Sequence, residues 1–113
     1  MGNIHAMARS YDQGTCPVAR TLEVIGERWA ILILRDLILK GPRRFQDLQE
    51  SLSAVAPNTL SARLKDLEAA GMIERRQYSE RPPRLEYHLT EKGMSFRPVL
   101  RALRDWGLQH AKS

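Results

Sequence analysis

Asn58, Thr59, Ser61, Ala62, Arg63 and Lys65 crowd into one stretch, Pro57–Ala70, PNTLSARLKDLEAA. Their side chains are short or hydrogen-bonding, with two cations among them. Hydroxyl, amide, ammonium and guanidinium groups set this close can reach phosphates and base edges together, and a DNA major groove is the surface that offers both. More cationic groups bracket the stretch: Arg43 and Arg44 before it, and Arg75, Arg76, Arg81 and Arg84 after it. A merely solvated helix would more often carry long Glu/Lys ladders.

Other chemistry finds little support. His5, His88 and His110 are scattered, and the chain has no Cys-x-x-Cys, HExxH, P-loop or Gly-x-Gly-x-x-Gly pattern. Neither a metal site nor a cofactor is expected, and an enzyme is not. His88 reads as a surface residue of a strand and His110 as part of a helix face.

The elements that must position the polar stretch follow from spacing. Leu60, Leu64 and Leu67 recur at i, i+4 and i+7, so they predict one buried stripe of a helix. Pro57 fits its first position and Gly71 its left-handed stop. Before it, Phe45, Leu48 and Leu52 predict a two-turn helix, and Arg43-Arg44-Phe45 a short edge strand. Two short helices joined by about four residues, the second polar outside, form a helix-turn-helix. After Gly71, Met72–Ser79 and Arg84–Leu89 read as strands around Glu80-Arg81-Pro82-Pro83. Leu85, Tyr87 and Leu89 alternate with polar residues, which predicts one buried face. A hairpin carrying Arg75, Arg76, Arg81 and Arg84 is the expected shape of a wing, with Arg81 at its tip. The alternative is a basic hairpin whose arginines pair with Glu74, Glu80 and Glu86; exposed pairs of that kind add little stability.

Residues 1–15 lack periodicity and read as a flexible arm. Pro17 opens a helix to about Ile25, which Gly26 ends. Trp29–Leu39 is apolar nearly all round and is expected to be the central core helix. Thr90 caps a last helix, which Pro98 should bend by removing a backbone donor. Phe96, Val99, Leu100, Leu103, Trp106 and His110 line that helix. A chain of 113 residues with its middle helix already covered has little room for this stripe as well. With Val18 and Leu22 it predicts a two-fold dimer through the first and last helices.

Composition agrees with one ordered domain: 42% hydrophobic, 27% charged. The net charge is +5, the excess falls after residue 39, and most basic residues are arginine, whose planar fork suits phosphate and guanine. Cys16 stands alone, which rules out an intramolecular disulfide. The apolar run Trp29–Leu39 contains Arg35 and Asp36 and is too short to span a bilayer, so a cytoplasmic protein without a membrane partner is expected.

CPVARTLEVIGERWAILILRDLILKGPRRF, LSARLKDLEAAGMIERR, PPRLEYHLTEKG and PVLRALRDWG, in that order, resemble the HxlR family of bacterial transcription regulators. The likeness covers about residues 16–110. It implies a mainly α fold with a small β-hairpin (α+β): a dimeric winged helix-turn-helix related to the MarR regulators. It further implies double-stranded DNA as partner, bound by the Pro57–Ala70 helix with support from the wing. A dimer predicts a palindromic or pseudo-palindromic operator, with half-sites about one helical turn apart. Where the family commonly has Ser just before this Pro, Ala56 stands here, which costs a side-chain cap of about 1 kcal/mol. Some members sense oxidants or electrophiles through a cysteine in the position of Cys16. A helix N-terminus favours the thiolate form, which is compatible with an oxidant or small-molecule effector. The rival reading is a winged-helix module that binds protein; it would more often present an aromatic or Met-rich patch, and the chain shows none.

Overall fold

Proline opens a helix where its missing N–H is harmless, and this chain uses it so three times, at Pro17, Pro57 and Pro98. The computed structural model describes residues 16–111. The expected arm, residues 1–15, lies outside them. The described elements run α1 (Pro17–Ile25), α2 (Arg28–Lys40), α3 (Phe45–Ser51), α4 (Pro57–Ala69), β1 (Ile73–Glu80), β2 (Pro83–Leu89), α5 (Glu91–Met94) and α6 (Arg97–His110). None of the helices is long and apolar enough to cross a membrane. The architecture is mainly helical with one antiparallel hairpin, as expected.

α2 is the centre of the core. Ala30, Ile33, Leu34 and Leu37 are buried on it, and Leu48, Leu52, Val55, Leu60, Leu64, Leu67, Met72, Ile73 and Phe96 pack into the same cluster. Its burial is one-sided, which corrects the expectation of a helix covered all round. Ile31, Leu32 and Ile38 are only half-buried, and Leu39 is 70% exposed. The reason is neighbour count: α3, α4 and the hairpin cover one face, while α6 leaves the opposite flank partly open. Asp36 is buried at 1% exposure, with Oδ1 accepting from Arg35 Nη2 at 3.2 Å and Oδ2 lacking a partner.

One backbone bridge ties the hairpin to the segment before α3. Arg43 N donates to Tyr87 O at 3.1 Å, and Tyr87 N donates to Arg43 O at 2.7 Å. The edge strand expected at Arg43–Phe45 is therefore one residue long, because Phe45 already begins α3. Ile73 pairs with Leu89 at the root, and the register runs to Glu80 opposite Pro83, with an irregularity between Gln77 and Ser79. The alternation in β2 does not produce a buried face: Leu85 is 46% exposed, and Tyr87 and Leu89 are half-buried. The ribbon leaves the core after its first residues, so no second layer among the described residues reaches Leu85.

The last helix is also corrected. Thr90 Oγ1 accepts from Gly93 N at 3.1 Å and caps α5, which ends after one turn. A Cβ on Gly93 would lie 2.1 Å from Met72 O, so only glycine lets α5 sit against the start of β1. A new helix then begins at Arg97, and Pro98 falls in its first turn. The proline starts a helix here rather than bending one, because the break at Ser95–Phe96 has already released its backbone partner. This break turns Phe96 inward to 6% exposure.

Candidate nucleic-acid interface

α4 is fixed by its leucines. Leu60 and Leu67 are fully buried and Leu64 nearly so, and Gly71 (φ 77°) ends the element. With that stripe inward, Asn58 and Lys65 are exposed, and Thr59, Ser61 and Ala62 are half-buried at the surface between them. Ala56 supplies no side-chain cap, so the first N–H groups of α4 gain no partner from it.

Arg63 departs from this face. Its Nη1 lies 3.4 Å from Glu27 Oε2, and its Nε is 3.2 Å from Asp66 Oδ2 without hydrogen-bond alignment. It stands on the flank of α4 against the α1–α2 junction, where Glu27 also caps α2 through Trp29 N at 2.8 Å.

The remaining basic residues divide by partner. Arg44 grips Asp47 with Nε at 3.1 Å and Nη2 at 2.9 Å, and its own N–H donates to Asp47 at 3.0 Å. That grip lowers the Asp47 carboxyl to about 2 and pushes the Arg44 guanidinium up. Arg43 reaches Asp47 O at 3.4 Å, and its Nε is buried without a partner. Arg75 pairs with Glu68 at 3.0 Å, and Arg76 with Glu74. Lys65, Arg81 and Arg84 are exposed and have no acidic partner among the described residues. Arg81 lies in the turn at the far end of the ribbon, as expected. The pairing expected with Glu74 holds for Arg76, whereas Glu86 binds His88 at 2.9 Å and Glu68 takes Arg75. Burial, reinforced by Glu68, pushes the Tyr87 phenol up.

Cys16 is the N-cap residue of α1 and is half-buried. Of the stripe expected at a dimer interface, Val18, Leu22, Val99, Leu103 and Trp106 are 67%, 55%, 41%, 47% and 64% exposed, and His110 is exposed, its ring 5.0 Å from that of Trp106. Phe96 does not belong with them: it is a core residue. Leu100 is half-buried and packs against the core. Leu39 and Leu108 are exposed and apolar too. Spacing concealed the first inside an apolar run, and the second lies off the heptad-like stripe.

The description HxlR-like helix-turn-helix belongs to the family profile that matches residues 24–113. An uncharacterized HTH-type transcriptional regulator of Halalkalibacterium halodurans is 37% identical over 94 residues, 83% of each chain. One from Synechocystis sp. is 41% identical over 92 residues, 81% of this chain and 67% of that protein. Among solved structures, the redox regulator HypR in its oxidized form has a TM-score of 0.79 at 32% identity, covering 87% of this chain and all of that one. The reduced form of the transcriptional regulator YodB from B. subtilis has a TM-score of 0.73 at 32% identity, covering 86% and 95%.

Proposed function

The chain belongs to the HxlR-like helix-turn-helix family, and from that premise we propose that it binds double-stranded DNA as a homodimer, with α4 in the major groove and the hairpin on the adjacent backbone or minor groove. It is a transcriptional regulator of the winged helix-turn-helix type and not an enzyme. The observation that carries the finer reading is the outward face of α4. Asn58, Ser61, Ala62 and Lys65 project from a helix whose other side is locked into the core, beside a ribbon whose Arg81 and Arg84 have no acidic partner among the described residues. A groove-reading helix needs both properties: a rigid back and a face of short donors. The uncapped start of α4 supports it further, because open N–H groups at a helix N-terminus receive a phosphate oxygen.

In this reading residues 16–110 form the DNA-binding unit. Val18 and Leu22 on α1 and Val99, Leu103 and Trp106 on α6 meet their copies across a two-fold axis, and that symmetry asks for a palindromic or pseudo-palindromic operator. The test is binding to the gene's own upstream region and to random duplex, each measured against salt. Phosphate contacts predict a steep log–log fall for both, with tighter binding to the operator. A flat plot overturns the reading.

A redox role for Cys16 is a second reading, favoured by its place at the start of α1 and by the likeness to HypR and YodB, both regulators with structures in defined oxidation states. With no other thiol in the chain, oxidation joins the two protomers or forms a mixed disulfide or adduct. Oxidant should change operator affinity in the wild type and not in Cys16→Ser. Equal responses remove Cys16 from the mechanism.

A further inference from the structure

By its own sequence α4 has an unfavourable C-terminus. Asp66 and Glu68 stand in its last turn with no basic residue beside them, where the negative end of the helix dipole disfavours acids. The adjoining chain satisfies only part of the terminal carbonyls: Gly71 N donates to Glu68 O and Met72 N to Leu67 O, both at 2.9 Å.

The next three carbonyls are taken by the start of α5. Lys92 Nζ donates to Ala70 O at 2.6 Å, Thr90 Oγ1 to Gly71 O at 2.5 Å, and Thr90 N to Met72 O at 3.1 Å. The Lys92 stem lies over Gly71, its Cδ 3.9 Å from where a Cβ would stand. Its ammonium thus occupies the place where the dipole favours a cation, which α4 itself does not provide. This clasp has a fixed base. Gly93 is buried against Met72 O, closer than any side chain permits, and Phe96 is held in the core. Lys92 itself is exposed, so water and salt screen its bond and it adds little to global stability.

We infer that Lys92 is a positioning residue for DNA recognition: it holds the C-terminal end of α4 so that the outward face meets base edges in one register. The inference rests on the reading of α4 as the groove helix. The leucine stripe holds the back of α4 and Glu27 its flank, and the clasp holds its end. A reading helix whose support is loose by about 1 Å loses base contacts, whereas phosphate contacts from long cationic side chains tolerate that shift. Removing the clasp therefore lowers discrimination between sequences and spares affinity for duplex in general.

The full chain is titrated with duplex from the gene's own upstream region and with random duplex of equal length, each across salt. Lys92→Met keeps the stem and removes the ammonium. It is expected to weaken the upstream duplex by about tenfold, with random duplex and the salt slope unchanged. Lys92→Arg keeps a cationic donor and restores discrimination. Lys40→Met, the same charge loss at the exposed end of α2, leaves both duplexes unchanged. Hydrogen exchange without DNA is the second readout. The Ala70, Gly71 and Met72 amides exchange faster in Lys92→Met and not in Lys40→Met, at a urea midpoint close to that of the wild type. The inference is overturned if those amides keep their protection. It is also overturned if both duplexes weaken alike with a salt slope lower by about one, which would make Lys92 a phosphate contact. A wild type that binds neither duplex ends the DNA reading and this inference together. A wild type that discriminates, with Lys92→Met discriminating equally, ends this inference alone.

Discussion

Glu27 holds Arg63 across 36 positions of chain: Oε2 lies 3.4 Å from the Arg63 guanidinium, while Oε1 accepts the Trp29 N–H at 2.8 Å. One carboxylate thus caps the central helix and tethers the flank of α4. The buried leucines fix the rotation of α4, and the Glu27 contact fastens its flank to the α1–α2 junction.

Glu27→Ala should therefore cost about 1–2 kcal/mol, combining a lost cap with a part-exposed ion pair. Glu27→Gln keeps an acceptor for Trp29 N and should cost less than half as much. Urea midpoints measure both. Equal losses would mean that the charge on Glu27, and hence the Arg63 tether, matters more than the cap.

The Arg44–Asp47 pair sets an acid limit. Asp47 titrates at about 2 in the fold, below its ordinary 3.8, because Arg44 hydrogen-bonds the carboxylate. A lowered folded-state value means that the contribution is present above about pH 4 and is lost as pH falls through about 2. Since the pair is largely at the surface, solvent screens it and the contribution is small. Stability curves of the wild type and Asp47→Asn should run parallel above pH 4 and converge below it. Parallel curves down to pH 2 would show that Arg44 does not stabilise the ionised form.

On DNA, the division of cations by partner predicts unequal effects. Arg81→Ala, Arg84→Ala and Lys65→Ala should each weaken operator and random duplex alike and reduce the salt slope by about one. Arg76→Ala should do less, because Arg76 must leave Glu74 before it reaches a phosphate. Asn58→Ala should cost about 1–3 kcal/mol at the operator and little on random duplex, if it reads a base edge. Salt titrations of the variants decide it. Arg76→Ala matching Arg81→Ala would make the surface pairs irrelevant to binding.

Within α2, position decides cost. Leu34 is fully buried and Leu39 is 70% exposed, although both stand in the same apolar run. Leu34→Ala should lose about 2–5 kcal/mol, and Leu39→Ala within about 0.5 kcal/mol. Denaturant midpoints report both.

That contrast marks how far the sequence carries. Periodicity is a local property, and where punctuation is local too the elements were legible: Pro17 and Pro57 opening helices, Gly71 stopping one, Leu60, Leu64 and Leu67 facing inward. The polar face of α4 follows from that stripe by simple geometry. Which arginines are already engaged was not legible, since Arg63 meets Glu27 and Arg75 meets Glu68 only once the chain has folded. The same holds for Leu85 and Leu39. Their apolar neighbours promise burial, but burial needs a covering element, and none of the described elements lies over them. Pro98 shows the limit in another form: the residue was informative, yet its meaning turned on a break at Ser95–Phe96 that no spacing announces.

The dimer reading is tested by residues that look alike in sequence and differ in the fold. Phe96 and Trp106 both sit on the terminal apolar stripe, but Phe96 is 6% exposed and Trp106 64%. An isologous interface is self-complementary, so one charge placed on it appears twice and faces its own copy. Trp106→Glu and Leu22→Glu should therefore dissociate the protein at micromolar concentration in sedimentation, with an unfolding midpoint close to that of the wild-type monomer. Phe96→Ala should behave in the opposite way. It should lose about 3–5 kcal/mol from a core cavity while any folded fraction still associates. A wild type that sediments as a monomer, or a Trp106→Glu variant that stays dimeric, would move the subunit contact away from α1 and α6 and leave that stripe without a partner.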